Sequence, residues 1–208
     1  MPQQTELAAA LGDVRRAYRL LWFYQERVFD IIGPIAGEFE ALRFYMWRSN
    51  SARPMDASTN PLSRTPWSAF PLMNVSYLYR SGDDPNHVKP GDWLLDIRVI
   101  SDSGYRDEVD DRLQTDPDKF PGIEASETRI NLYALYCTEE IKANWLRDIW
   151  EPVEWPEPNG TVNELENRPI RIVGLSFNIS DLPAREAVQS AAATFKRIAS
   201  EALGVSIS

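Results

Sequence analysis

Cysteine and histidine are almost absent from this sequence, which contains one of each among 208 residues, Cys137 and His87. A lone cysteine cannot form an intrachain disulfide framework. Because the first residues also lack the basic and apolar regions of a secretory signal, this cysteine usage indicates a reducing compartment. We therefore predict a cytoplasmic location.

The same scarcity restricts the chemistry. Zinc sites built on histidine and cysteine need more ligands than the chain contains. A Ser-His-Asp or Cys-His catalytic arrangement would have to use His87, which lies in a turn containing proline, asparagine and lysine. Cys137 ends an apolar segment in which it alternates with Tyr133 and Leu135, a pattern that predicts a small buried residue. Catalysis by a histidine-activated thiol is not expected.

Glycine-rich phosphate loops and long apolar runs are missing as well. Neither GxxxxGK(S/T) nor GxGxxG occurs, so no nucleotide held by such a loop is predicted, and we expect no cofactor. The longest dense apolar run, Leu20 to Tyr24, is far shorter than the roughly 20 residues of a membrane-spanning helix. We expect no membrane association.

Acidic residues are in excess, and the excess lies in one part of the chain. The net charge is −9. Residues 81–166 carry 21 acidic and 8 basic side chains, whereas the segments on either side each carry two more basic than acidic residues. Such a block repels phosphate backbones and attracts basic partners or cations, so nucleic-acid binding is not expected. The alternative is a solvated acidic surface that maintains solubility.

The N-terminal region predicts a long helix from about Thr5, a potential N-cap, to a stop at Gly33-Pro34. A stripe of positions recurs in steps of four and three along one side of it, and all of them except Gln25 are apolar: Leu7, Leu11, Val14, Tyr18, Leu21, Gln25, Val28 and Ile32. Trp22 and Phe29 widen this stripe, which favours packing against a sheet or another helix. The alternative is a dimer seam, with Gln25 as its register-setting polar residue. The helix could thus form a homo-oligomer.

The remaining pattern predicts an α+β fold. Segments rich in β-branched and aromatic residues predict four strands, at 70–79, 93–100, 129–137 and 170–177. We interpret residues 38–48 as a helix, although their alternation also fits a strand. Further helices are predicted after Thr138 and from Asp181 to Gly204. We therefore expect one domain, residues 1–208, with an antiparallel sheet of about four or five strands packed against the N-terminal and C-terminal helices.

Carboxylates crowd the connection after the second predicted strand: Asp102, Asp107, Glu108, Asp110, Asp111, Asp116 and Asp118. Their spacing does not fit a calcium loop of the EF-hand type. If the acids of residues 92–118, including Asp92 and Asp96, converged in a cleft, they could support a metal-dependent hydrolase or nuclease. A solvated loop is the other interpretation, and we predict no metal site.

The segment Trp150 to Pro158 contains three prolines, which favour a polyproline II conformation with three residues per turn. At that period Glu151, Glu154 and Glu157 share one edge, and Trp155 lies on the next. These four residues are the candidate partner-binding site for a basic, groove-bearing protein. The alternative is a rigid connector that Trp155 holds against the body.

Two functional hypotheses follow from the sequence. The first is a non-catalytic binding or adaptor protein that presents the acidic surface of residues 81–166 to a basic protein. The second is the carboxylate-based hydrolase. The missing nucleophile and cofactor signatures favour the first.

Overall fold

A six-stranded antiparallel sheet forms the centre of the computed structural model, which describes residues 2–51, 54–58, 60, 62, 70, 72–105 and 117–207. The strands are β1 (Arg43–Ser49), β2 (Asn74–Arg80), β3 (Trp93–Ile100), β4 (Arg129–Cys137), β5 (Asn159–Glu164) and β6 (Ile170–Asn178). Their order across the sheet is β1-β2-β3-β4-β6-β5. The helices are α1 (Pro2–Gly37) and α2 (Arg185–Leu203), and one π-helical turn spans Trp145–Trp150. The predicted α+β class is confirmed, with six strands in place of four or five.

Both faces of the sheet are covered, because the strands alternate apolar residues on each side. On the first face, the C-terminal half of α1 and the apolar side of α2 pack against residues such as Leu95, Ile97 and Leu132. On the second face, the π-helical turn and Val153 pack against Leu94, Leu135 and their neighbours. Each face therefore has its own apolar cluster.

Two strands were not predicted as strands. Residues 38–48 do not form a helix: β1 begins at Arg43 and pairs with β2 through an irregularity between Phe44 and Met46. That irregularity disturbs the strict alternation of a strand, which explains why the apolar positions also fitted a helical face. Strand β5 begins at Asn159, where a turn was expected, and is half-exposed at the other edge of the sheet.

Four predicted helix ends were also wrong, and the first of them is the start of α1, which lies at Pro2 and not at Thr5. Helix α1 continues through Gly33-Pro34 to Gly37, since this last turn carries Ile35 into the core. No helix begins at Thr138; the π-helical turn is capped instead by Asn144, whose side chain accepts bonds from the amides of Leu146 and Arg147. Helix α2 begins at Arg185 and not at Asp181. Its predicted end is confirmed, because Gly204 takes the left-handed conformation (φ 71°) that terminates helices.

Candidate functional site

The first half of α1 lies outside the body of the protein. Between Leu7 and Phe23 eight large apolar side chains are 47–68% exposed: Leu7, Leu11, Val14, Tyr18, Leu20, Leu21, Trp22 and Phe23. The prediction that the whole stripe packs in the core is therefore wrong for this half, and the predicted burial of Trp22 and Phe29 is wrong as well. Packing on the sheet begins near Tyr24. From there back to Pro2 the helix extends for about 33 Å at 1.5 Å per residue.

The second half of α1 is firmly anchored. Val28, Ile31, Ile32 and Ile35 are buried in the cluster on the first face of the sheet. The Arg27 guanidinium donates a hydrogen bond to the Leu182 carbonyl oxygen, in the segment before α2. The projecting half therefore leaves the body from a fixed base.

The boundary between the two halves is polar. The Tyr24 hydroxyl donates to Ser101 Oγ at 2.9 Å, and Gln25 Nε2 donates to the Tyr77 hydroxyl at 3.3 Å. Burial raises the pKa of the Tyr24 and Tyr77 phenols. Gln25, the polar position of the stripe, thus contacts its own sheet.

An apolar cavity of about 250 Å³ opens at this boundary, between α1 and the end of the sheet. Tyr18, Leu21 and Tyr24 form its helical wall, and Phe70, Leu72 and Met73 form the opposite wall. The cavity and the exposed stripe are continuous, because Tyr18 and Leu21 belong to both.

The acidic proline-rich segment is held by Trp155. The Arg98 guanidinium lies 3.9 Å from the centre of the Trp155 ring, and the Tyr133 ring centre lies 4.9 Å away. The Tyr133 hydroxyl also donates to the Pro156 carbonyl oxygen at 3.2 Å. These contacts favour the connector interpretation for Trp155.

The acids of this segment differ from one another. Glu151 forms an ion pair with Arg48 of β1 at 2.8 Å. Glu154 and Glu157 are exposed, and within the described part of the chain neither forms an ion pair. The assignment of Glu151, Glu154, Trp155 and Glu157 to a partner-binding site stays a prediction, with Glu154 and Glu157 as its accessible charges.

Asp96 is the buried charge of the second face. Its Oδ2 accepts hydrogen bonds from Arg98 at 2.8 Å and from Trp150 Nε1 at 2.9 Å. Arg98 Nε donates in turn to Ser76 Oγ at 3.2 Å. The sequence grouped Asp96 with the loop acids. Its position within an apolar strand, two residues before an arginine on the same face, was the signal of a buried pair.

The described carboxylates of residues 92–118 do not converge. Asp92 Oδ2 accepts from the Lys89 amide, next to the start of β3, whereas Asp102 Oδ1 accepts from the Gly104 amide, just past its end. Ten residues of extended chain separate these two acids by roughly 33 Å. Among the residues that the structure describes, no group of three or more potential ligands could hold a metal ion. The other predicted acids, Asp107, Glu108, Asp110, Asp111 and Asp116, lie outside the described residues.

The two rare residues have structural partners. His87 Nε2 lies 2.5 Å from Glu140 Oε1. Cys137 is fully buried, its Sγ donates to the Glu139 carbonyl oxygen, and burial raises the pKa of the thiol to about 11. A thiol of this kind is almost entirely protonated at neutral pH and is a poor nucleophile.

The described helices include none that is both long enough and apolar enough to cross a bilayer. Even α1, at 36 residues, carries charged side chains throughout its projecting half.

Comparison with known proteins identifies the family. The model of the PM0109 family matches residues 4–204, so the chain belongs to this family. It is 28% identical over 215 residues to "Uncharacterized protein PM0109" of Pasteurella multocida (strain Pm70), an alignment that covers 97% of this chain and 98% of that protein. The name of this relative states no activity. No solved structure matches the chain.

Proposed function

We propose that this member of the PM0109 family is a non-catalytic binding protein that joins an assembly through the projecting half of α1. The observation that carries the proposal is the exposure of eight large apolar side chains between Leu7 and Phe23. The single buried cysteine, Cys137, supports a cytoplasmic setting for this assembly.

The size of the exposed surface supports a partner. Aromatic side chains have areas of about 150–250 Å², so the exposed parts of Tyr18, Trp22 and Phe23 alone amount to roughly 300–400 Å². The five aliphatic residues add to this surface. Six of the eight lie on or beside the stripe, whereas Leu20 and Phe23 point to the opposite side of the helix. The continuous surface of these six is at the upper end of the range for the largest apolar patch of a typical monomer, about 300–600 Å². Exposure of this half of the helix to water is therefore energetically unfavourable.

The anchoring of α1 also supports a binding role. Isolated helices of limited length are marginal in water, but this one continues from a segment in which Ile31 and Ile35 are buried. A helix that is already formed when the partner arrives loses less conformational entropy on binding. The projecting half is thus suited to accept an apolar helix along its stripe.

A double substitution tests this proposal. The variant Leu11→Lys/Tyr18→Lys places two charges in the stripe, and lysine is a strong helix former, so the helix itself should persist. In size-exclusion chromatography of extracts from cells that naturally contain the protein, the wild-type chain should elute at an apparent mass above its own 23.8 kDa. The double variant should elute at the mass of a single chain. Elution of both at the same position would contradict the proposal.

The matched control is Ile123→Lys. Ile123 is 89% exposed and lies far from α1 in the sequence, so it receives the same change at an apolar surface position. This control should elute with the wild type. Urea unfolding should give all three proteins free energies within about 0.5 kcal/mol of one another, because exposed substitutions rarely change stability more than that.

A second candidate is the acidic surface of residues 81–166, which would bind a basic protein. Glu154 and Glu157 favour it, because the contacts of Trp155 hold these exposed acids on a fixed segment. We expect a lysine-rich peptide to bind the wild type with an affinity that falls as salt rises. Glu154→Lys/Glu157→Lys should abolish this binding, whereas Glu124→Lys, a charge reversal elsewhere in the same block, should weaken it only slightly. If both variants lost peptide binding to the same extent, attraction to the overall negative charge would explain the binding without a specific site.

The hydrolase alternative receives no support from the described acids, since Asp92 and Asp102 lie at opposite ends of β3. A preformed metal site would raise the melting temperature on addition of its ion. We expect no such rise with Mg²⁺, Mn²⁺ or Ca²⁺. A rise with any of them would favour the hydrolase.

A further inference from the structure

We infer that the partner of α1 is the same helix of a second copy of this chain, packed antiparallel along the exposed stripe. This inference rests on the proposed function and identifies the binding partner.

The repeat along the stripe fits a helix–helix seam. From Leu7 to Ile32 the stripe positions alternate steps of four and three, which is the 3.5-residue period of coiled coils. The structure divides this repeat at Gln25: Val28 and Ile32 are buried on the chain's own sheet, and the positions from Leu7 to Leu21 are exposed. Among the residues that the structure describes, these exposed positions form an apolar seam that the chain's own sheet does not bury.

The small residues beside this seam permit close contact. Ala10 and Ala17 directly precede Leu11 and Tyr18, so both lie on the same flank of the stripe. Small flanking side chains let two helix backbones approach closely. A two-fold contact requires the same patch on both subunits, and this patch is available on every copy of the chain.

The direction follows from the position of the sheet. A straight helix turns by about 20° per heptad relative to a 3.5-residue repeat, so the stripe rotates by roughly 60° from Leu7 to Val28 and stays on one side. That side rests on the sheet from Val28 onward. A parallel partner would run past Gln25 into space that the first copy's sheet occupies. The helix of an antiparallel partner runs in the opposite direction, so the partner's own sheet lies beyond the N-terminus of the first copy's α1.

The cavity at the boundary fits the antiparallel arrangement. If the two projecting halves overlap fully, the first turns of one helix come level with Tyr18 and Leu21 of the other. These two residues form the helical wall of the 250 Å³ cavity. The apolar side chain of Leu7 of the second copy would therefore enter this cavity.

The area of the contact is sufficient for a reversible dimer. Six side chains lie on or beside the exposed stripe: Leu7, Leu11, Val14, Tyr18, Leu21 and Trp22. If each buries on the order of 100 Å², about half the area of an aromatic side chain, both copies together bury roughly 1,200 Å². This is the lower limit of specific protein interfaces. The dimer should therefore form and dissociate with concentration.

Thiol cross-linking of variants with one added cysteine tests the partner and its direction. Leu7→Cys, Val14→Cys and Leu21→Cys are each treated with a short thiol-to-thiol cross-linker. The native Cys137 does not interfere, because it is buried and its pKa is raised to about 11, and the untreated background is given by the wild type. We expect Val14→Cys to form covalent dimers alone, and Leu7→Cys to form them only when it is mixed with Leu21→Cys.

The other outcomes overturn the inference in distinguishable ways. Efficient cross-linking of Leu7→Cys alone would show a parallel pair. If the purified wild type sediments as a single chain at every concentration and no variant cross-links, the partner is not a second copy. The proposed function would still stand in that case if Leu11→Lys/Tyr18→Lys changed the elution of the protein in cell extracts, and it would fail if that change were absent as well.

Discussion

The two halves of α1 have similar apolar periodicity and opposite surroundings. Both carry the same apolar stripe, yet Val28, Ile31 and Ile35 are buried, whereas Leu7, Leu11 and Val14 are about half-exposed or more. The difference does not arise from helix propensity or from amphipathicity, which are present in both halves. It arises from the length of the sheet, which ends near Ser101 while the helix continues. An amphipathic pattern thus indicates that a helix face will be covered without indicating which molecule covers it.

Hydrogen exchange provides the widest contrast between the halves. In a dilute sample of single chains, amides of residues 28–33 should exchange only through global unfolding, which costs about 5–15 kcal/mol in typical domains. Amides of residues 6–20 should exchange through local fraying at a small fraction of that free energy, because packing of α1 on the cluster of the first face begins near Tyr24. A concentrated sample should protect residues 6–20 further if the antiparallel pair forms. Equal protection of both segments in the dilute sample would mean that the two halves of α1 do not differ in local stability.

Paired truncations test the same contrast energetically. Ile35→Ala removes a fully buried side chain and should lower the free energy of unfolding by about 2–5 kcal/mol. Leu11→Ala, in the exposed half, should change it by no more than about 0.5 kcal/mol in the dilute protein. Urea denaturation with both variants at one low concentration measures the difference. Similar losses would mean that Leu11 is covered within its own chain.

Arg27 tests how firmly the base of the helix is fixed. Its guanidinium hydrogen bond to the Leu182 carbonyl oxygen links α1 to the segment before α2. Arg27→Met retains the aliphatic stem and removes this bond, so we expect a loss of about 1–2 kcal/mol by urea denaturation. Arg19→Met, in the projecting half, is the control and should be nearly neutral. A neutral Arg27→Met variant would show that apolar burial alone holds the base.

Tyr24 gives the smallest effect, which depends on pH. Loss of its hydrogen bond to Ser101 in Tyr24→Phe should cost about 1 kcal/mol at pH 8. Because burial raises the pKa of the Tyr24 phenol above 10, the folded state favours the neutral form. This contribution is complete below pH 10 and is lost as the pH rises through the raised pKa.

Stability should therefore fall above pH 10, and it should fall less steeply in Tyr24→Phe than in the wild type. The free energy of unfolding, measured by urea denaturation from pH 8 to pH 11, gives both slopes. Tyr18→Phe serves as the control for removing an exposed hydroxyl. Identical slopes in the wild type and Tyr24→Phe would mean that the Tyr24 environment is not specific to the folded state.

Local patterns predicted the central strands closely. The boundaries of β3 and β4 match the expected segments at residues 93–100 and 129–137, because buried central strands require β-branched and aromatic residues on both faces. The edge strand at Arg43–Ser49 was interpreted as a helix, since an edge strand is only partly buried and its pairing is irregular near Phe44. The C-terminal helix was predicted with its glycine end, and only its start was misplaced.

The candidate surfaces were predictable to a smaller extent. The stripe of α1 was visible in the sequence, and so was the dimer seam as one of its two interpretations. The packing of the Arg98 guanidinium on the Trp155 ring depends on a contact between residues 57 positions apart. The same holds for Asp96, whose partner Trp150 lies 54 residues away. Long-range contacts of this kind leave no periodic signal in a chain.

The sequence by itself determined the α+β class, the central strands, the acidic block and the scarcity of histidine and cysteine, because composition and short-range periodicity are local properties. The tertiary structure decided where the stripe of α1 is covered. That outcome depends on how far a sheet assembled from distant segments extends beneath the helix, and no local pattern in Leu7–Leu21 encodes the point at which the sheet ends.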